Sequence, residues 1–250
     1  MTARPADALP GVWGLTTAVP APAGAAAAAS GSVPRAEADR RLLIRVREAL
    51  AGVWGVDPGP LGLARRCPAC GSEVHGAPRL TGLPAGRRAL VSLTGVADDD
   101  GTRLRVAAWW TPGAETERET RRRPGRRGDA FLAGAAAAGR AWGLGLDLER
   151  RDASAFAGPD GLGDVGLSAG ERAWVAGLPP ADRPAARVRL WTRKEALVKA
   201  AGTGFTGDPA DVSARAPGPG AAVDLDARVL RAAGLPPGVC GALALRGPAR

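Results

Sequence analysis

Three carboxylates and one lysine stand at spacings that would bring them to a common site. Asp147 and Glu149 alternate with leucines, so a strand would place both carboxylates on one face, about 7 Å apart. Glu195 and Lys199 are four residues apart, which puts them on one face of a helix. Carboxylates suit a hard cation such as Mg²⁺, and a nearby ammonium suits a phosphate oxygen. Together these groups could support phosphoryl transfer, with a carboxylate accepting the proton of an attacking hydroxyl.

Lysine is unusually scarce in this chain. Of 34 basic residues only Lys194 and Lys199 are lysines, while Ala, Gly, Arg and Pro are in excess and Tyr, Asn and Gln are absent, a pattern typical of GC-rich coding. Two lysines that survive such a bias indicate positions that need a compact ammonium. A simpler interpretation stays open, in which the two lysines were retained by chance. Glu195 and Lys199 would then form a surface ion pair that stabilises the helix by about 0.3–0.5 kcal/mol, and Asp147 would only end a strand.

The elements that would hold these residues can be predicted from the pattern around them. In residues 144–148 leucines alternate with glycine and aspartate, which predicts a strand that buries the leucines and shows the carboxylates on its other face. Residues 131–138 predict a strand or short helix, and residues 239–245 predict a closing strand.

Two helices should lie between these strands. Ser168 and Glu171 form a capping box that begins the first helix, and the prolines from Pro179 end it. Asp182 is predicted to cap the second helix, which carries Glu195 and Lys199 and ends at Gly202.

The first half of the chain has a helix, a cysteine-containing loop and a strand. Apolar residues recur at helical spacing over 42–53 opposite arginines, and residues 89–94 predict a strand closed by acidic residues 98–100. Residues 111–129 have charge runs but no apolar periodicity, as in an exposed linker. The predicted organisation is a flexible lead-in at 1–34, an N-terminal half at 35–128 and a C-terminal half at 129–250.

Composition narrows the classes of function. The net charge of +9 predicts an anionic partner, and the arginine-rich linker leaves nucleic-acid binding open, although no aromatic residues interleave it. No apolar stretch is long enough for a membrane span or a secretory signal, which predicts a cytoplasmic protein. A single histidine and no asparagine exclude a Cys-His-Asn triad, and Gly-x-Gly-x-x-Gly and Walker A patterns are absent.

The three cysteines form no even disulfide framework. Cys67 and Cys70 lie in a C-x-x-C spacing, with His75 nearby and Cys240 far along the chain. These four residues could bind zinc, but one C-x-x-C is only half of the usual zinc pattern, and unpaired cysteines are common in protein interiors.

The motifs resemble those of surfactin-synthetase-type 4′-phosphopantetheinyl transferases. The strand G-L-D-L-E at 145–149 and the helix W-T-R-K-E-A-L-V-K at 191–199 match the family's G-[IV]-D-x-E and [FW]-[STC]-x-K-E-x-x-x-K motifs. Residues 167–171 resemble its L-S-x-x-E helix start. Residues 67–71 and 75–78 resemble the C-x-x-C-G and H-G-x-P stretches of actinobacterial members.

The resemblance implies transfer of phosphopantetheine from coenzyme A to a serine of an acidic acyl or peptidyl carrier protein. It implies two α+β halves related by a pseudo-twofold axis, with the site in the cleft between them, and a monomer. Asp147, Glu149 and Glu195 would bind Mg²⁺, Glu195 would serve as or position the base, and Lys199 would hold the diphosphate. The remaining residues implied to contact coenzyme A are Lys194, His75, Gly76, Pro78, Arg79, Ser92 and Thr94.

Two departures from the family pattern concern coenzyme A binding. Ala77 replaces the usual basic residue between the glycine and the proline, with Arg79 as the nearest substitute. The family's S-x-S-H stretch is S-L-T-G at 92–95, so its histidine is missing; Arg87 and Arg88 could supply the charge. A homologue that binds coenzyme A or a carrier protein with weakened turnover therefore stays an alternative.

Overall fold

A computed structural model gives the fold of most of the chain. Within the described residues lie eight strands and five α-helices, in agreement with the predicted α+β class. None of the helices in this part of the chain has the length and apolar character to cross a membrane. The described residues are 12–18, 35–67, 70–73, 76–97, 103–112, 143–158, 162–215 and 221–247.

The first sheet is antiparallel and carries a long helix. Its order is β1 (Val12–Ala18), β5 (Arg103–Thr111) and β4 (Leu90–Ala97). Helix α1 (Arg35–Trp54) buries its predicted apolar face, the side chains of Leu42, Val46 and Leu50, against this sheet. The predicted strand at 89–94 is therefore confirmed; its acidic end at 98–100 lies outside the described residues.

Strand β1 lies within residues 1–34, the predicted flexible lead-in. Val12–Ala18 pair with β5 along their whole length, so this part of the lead-in forms a strand. Gly14 makes the pairing possible, because the Trp109 ring packs so closely that a Cβ atom at Gly14 would lie 2.6 Å from it. The rest of the predicted lead-in falls outside the described residues.

A small hairpin follows α1. It pairs β2 (Gly62–Arg65) with β3 (Pro78–Thr81), and the cysteine-containing loop connects the two strands.

The second sheet contains the predicted carboxylate strand at one edge. Its order is β6 (Gly143–Arg150), β8 (Val239–Arg246) and β7 (Ala222–Asp224), all antiparallel. β8 confirms the predicted closing strand. The element predicted at 131–138 lies outside the described residues. Of the linker predicted at 111–129, Thr111 belongs to β5 and residues 113–129 lie outside the described residues, so the boundary between the halves stays a prediction.

Four helices accompany the second sheet. The short helices are α2 (Leu162–Val165) and α5 (Ala227–Ala232), and the longer ones are α3 (Ala169–Ala176) and α4 (Arg183–Ala201).

The predicted ends of α3 and α4 are largely confirmed. Both hydrogen bonds of the capping box between Ser168 and Glu171 are present at the start of α3. Gly202 ends α4 with a φ of 74°, in the left-handed region where glycine is favoured. Asp182 holds the N-cap position, but its side chain makes no capping bond. Pro184 in the first turn lacks one of the N–H groups that such a cap would satisfy.

Helix α4 lies unusually close to strand β6. A Cβ atom at Gly145 would lie 1.8 Å from the carbonyl oxygen of Ala196, and one at Gly143 would lie 1.9 Å from that of Ala200. Ala196 and Ala200 are themselves buried. The backbone of α4 therefore packs directly on the backbone of β6. This close approach is possible because no larger side chain lies between them.

The two three-stranded sheets meet where the edge strands β4 and β6 lie side by side. The amide of Leu146 donates a hydrogen bond to Ser92 Oγ across this seam, at 2.9 Å. One hydrophobic core extends across both sheets and includes Leu104, Val106, Leu146 and Leu243. The sheets therefore share a core, while the pseudo-twofold relation between the halves stays a prediction.

Candidate active site

Strand β6 and helix α4 place the predicted acidic residues next to each other. The alternation in β6 turns its leucines into the shared core and Asp147 and Glu149 toward the opposite face, as predicted. That face is not open to solvent at Asp147, because α4 covers it and leaves the residue 8% exposed. Glu149, nearer the strand end, is half-buried.

Lys199 joins the two elements. Its Nζ lies 2.6 Å from Asp147 Oδ1 and donates to the Leu146 carbonyl oxygen at 3.2 Å. Glu195, one turn earlier on α4, is half-buried, and its Oε2 lies 3.9 Å from the same ammonium. Glu195 and Lys199 thus form the expected i,i+4 pair, but the shorter contact of Lys199 is with β6.

Burial perturbs both carboxylates that face the ammonium. It raises the pKa of Asp147; the charge of Glu149 acts in the same direction, and Lys199 and the Thr94 hydroxyl oppose it. Burial likewise raises the pKa of Glu195, with Asp147 adding to the effect and Lys199 opposing it. Burial, more than the neighbouring charges, is thus the main cause of both raised pKa values.

The donor set fits a divalent cation by its chemistry and charge. Asp147, Glu149 and Glu195 offer carboxylate oxygens, which Mg²⁺ prefers, and an excess of negative charge. Across the described parts of the chain, no three His, Cys, Asp or Glu side chains already converge as metal ligands do. The fit consequently rests on the type of ligand and the local charge.

Thr94 and Ser92 belong to the seam between the sheets. Thr94 Oγ1 donates to Asp147 Oδ1 at 3.2 Å, and Ser92 Oγ accepts from the Leu146 amide. Both residues are buried. Their hydroxyls thus bind residues of β6, because β4 packs directly beside it. The expected contact of Ser92 and Thr94 with coenzyme A stays a prediction.

Lys194 is engaged in a buried ion pair. Its side chain is fully buried, its Nζ lies 2.8 Å from Glu171 Oε2, and it donates to the carbonyl oxygens of Pro209 and Val212. The expected contact of Lys194 with coenzyme A stays a prediction. A step of five residues turns Lys194 well away from Lys199 around the helix axis, so the two lysines have different partners.

The first-half motif approaches the end of α4. A Cβ atom at Gly202 would lie 3.9 Å from Ala77 Cβ, and Gly76 adopts a φ of 107° that brings it against the backbone of Arg66. Pro78 begins β3 and Arg79 is exposed. Ala77, which lies between Gly76 and Pro78, is therefore close to the C-terminal end of α4. His75 lies outside the described residues.

A cavity of about 480 Å³ opens beside Glu149 and was not predicted from the sequence. It is lined by Glu149, Asp152, Phe156 and Trp191, among others. Phe156 and Phe205 pack on either side of Trp191, with ring centroids 6.1 and 5.6 Å away. The sequence feature that could have indicated this cavity is the four-residue spacing of Trp191 and Glu195, which places the indole ring one helical turn before the carboxylate.

The zinc alternative gains no support from the described cysteines. None of the three forms a disulfide, and Cys240 pairs with Glu149 across the β6–β8 ladder. Burial raises the pKa of the Cys240 thiol to about 11, which disfavours the thiolate that zinc requires. His75, the fourth candidate ligand, lies outside the described residues.

Part of the chain matches a known protein family. Residues 143–225, about a third of the chain, match the model of the 4′-phosphopantetheinyl transferase superfamily. No curated protein sequence matches the chain. The matched segment begins with β6 and includes α3, α4 and β7, so it contains Asp147, Glu149, Glu195 and Lys199 and supports phosphopantetheine transfer in general.

Proposed function

We propose that this protein is a Mg²⁺-dependent transferase that moves the 4′-phosphopantetheine arm of coenzyme A to a serine of an acyl or peptidyl carrier protein, releasing adenosine 3′,5′-bisphosphate. The observation that carries the proposal is the contact of Lys199 with Asp147, beside Glu195, inside the segment that matches the superfamily. An ammonium among carboxylates at a helix–strand junction suits a diphosphate with its cation.

Asp147, Glu149 and Glu195 are the proposed metal ligands. Bound there, Mg²⁺ would supply neutralising charge to the diphosphate of coenzyme A. Thr94 serves this set by orienting Asp147 through its hydrogen bond, and α4 excludes water from the same carboxylate.

Glu195 is proposed to accept the proton of the attacking serine. Its raised pKa makes its carboxylate a stronger base than an exposed glutamate. The serine oxygen forms a bond to the phosphorus that carries the pantetheine arm, and the bond between that phosphorus and the bridging diphosphate oxygen breaks. Lys199 binds the diphosphate and stabilises the charge that develops on the leaving phosphate.

The surroundings suggest where the rest of coenzyme A lies. The cavity between Glu149 and Trp191 is open and partly aromatic, which suits the pantetheine arm. Gly76, Pro78 and Arg79 are proposed to border the nucleotide, because their segment approaches the same end of α4. The net charge of +9 suits both coenzyme A and an acidic carrier protein.

The test is the intact mass of an apo carrier protein after incubation with this protein, coenzyme A and Mg²⁺. We expect a gain of one phosphopantetheine, lost with EDTA and with Asp147→Asn. Asp57→Asn is the matched control, since it removes an exposed carboxylate paired only with Arg47 and Gly59 near α1.

Calorimetry with coenzyme A distinguishes two explanations for a missing mass gain. If the protein binds coenzyme A, it is a homologue with weakened turnover. If it neither binds coenzyme A nor modifies the carrier protein, the proposal is contradicted, and nucleic acids become the next candidate for the anionic partner.

A further inference from the structure

Lys199 has an anionic partner within the protein itself. Its ammonium is bound to Asp147 Oδ1 and the Leu146 carbonyl oxygen and lies near Glu195, with 30% of the side chain exposed. It also lies in the last turn of α4, where the helix dipole favours a positive charge. The ammonium is therefore held inside the carboxylate cluster by several independent interactions.

A divalent cation that binds this cluster has to compete with that ammonium. Asp147 Oδ1 accepts hydrogen bonds from both Lys199 and Thr94, so its lone pairs are engaged. Displacing Lys199 without offering it another anion would leave a partly buried ammonium less well paired, which is unfavourable. A diphosphate supplies such an anion, and the long lysine stem is flexible enough to follow it.

We infer that Lys199 exchanges partners: it neutralises Asp147 in the ligand-free protein and is drawn to the diphosphate when the metal enters. Lys199 thereby weakens binding of Mg²⁺ alone and favours its entry together with a diphosphate. This inference rests on the proposed function for the identity of the two ligands. It adds a coupling between them that passes through one side chain of this protein.

Calorimetric titration of the full chain with Mg²⁺, in the absence of any phosphate, is the direct test. We expect Lys199→Met to bind Mg²⁺ about tenfold more tightly than the unmodified chain, within the usual range of coupling between sites. Arg189→Met is the matched control, because it removes an exposed cation from the same helix that pairs with Asp224 instead. It should leave Mg²⁺ affinity unchanged.

A second measurement needs no variant. Because the chain has only two lysines, labelling lysine with ¹³C at Cε should give two signals, and the buried Lys194 serves as an internal reference. Adding Mg²⁺ with inorganic pyrophosphate should shift the Lys199 signal and leave that of Lys194 in place.

Two results would overturn the exchange. Unchanged or weaker Mg²⁺ binding by Lys199→Met would show that the ammonium does not compete with the metal. A Lys199 signal unmoved by saturating Mg²⁺ and pyrophosphate would show that it keeps its partner. If the unmodified protein still adds phosphopantetheine to a carrier, the proposed function stands and only the exchange fails; without that mass gain, the proposed function is the part that fails.

Discussion

Replacing Lys194 by methionine should destabilise the fold strongly. The ammonium is fully buried against Glu171, which is itself only 3% exposed, so the variant leaves a buried carboxylate without its counter-charge. Removing one partner of such a pair costs about 3–5 kcal/mol. The carbonyl oxygens of Pro209 and Val212 also lose a donor. A loss of about 3–5 kcal/mol is a large part of the roughly 5–15 kcal/mol by which a folded domain is more stable than its unfolded chain.

Urea unfolding at pH 7 measures the free energy of unfolding for this comparison. Arg189→Met, a surface change on the same helix, should stay within about 1 kcal/mol of the unmodified chain. Adding Glu171→Gln to Lys194→Met removes the uncompensated charge and should recover about 1 kcal/mol or more. A loss below about 1 kcal/mol for Lys194→Met alone would refute the reasoning from burial.

The same pair predicts a dependence on pH. Burial alone would raise the pKa of Glu171. Hydrogen bonds from Lys194 and from the Ser168 and Ala214 amides outweigh this effect and leave the pKa below its usual 4.5. A lowered pKa in the folded state contributes stability that is present above pH 4.5 and is lost as the pH falls through the folded value. In Lys194→Met, burial should instead raise that pKa. The difference in stability between the two proteins should therefore narrow as the pH falls, starting at the raised pKa of the variant, above 4.5, and continuing to the lowered pKa of the unmodified chain. The urea midpoint measures it.

Three further changes have defined outcomes. Gly145→Ala would force α4 away from β6 and should lower both the melting temperature and carrier modification, whereas Gly170→Ala, with open space around its Cβ, should leave both intact. Ser168→Ala removes half of the capping box and should cost about 1 kcal/mol in urea unfolding. Thr94→Val takes one hydrogen bond from Asp147 and should reduce the initial rate of carrier modification more than it reduces stability; an unchanged rate would argue against a positioning role for Thr94.

Local patterns predicted the elements that carry the site. The leucine alternation around Asp147 favours a strand, and the capping box at Ser168 favours the start of a helix. Both patterns are local, so β6 and α3 could be predicted from neighbouring residues alone. The four-residue spacing of Glu195 and Lys199 was sufficient in the same way for their shared helix face.

Residues whose environment is set by distant parts of the chain were not predicted. β1 pairs with a strand some 90 residues further on, and the Ala, Pro and Gly residues around its Val, Trp and Thr favoured a flexible segment instead. The contacts of Lys194 and Thr94 with coenzyme A were implied by the resemblance alone. Their burial depends on how α3 and β4 pack, which a motif does not contain.

The close contact of α4 with β6 has a consequence for how this chain tolerates its coding bias. The contact consists of glycine on the strand and alanine on the helix, the two residue types that GC-rich codons supply most readily. None of the residue types that are scarce or absent in this chain, such as lysine, isoleucine and tyrosine, is needed for this contact. The alignment of Glu195 with Asp147 therefore depends on residue types that the coding bias itself supplies.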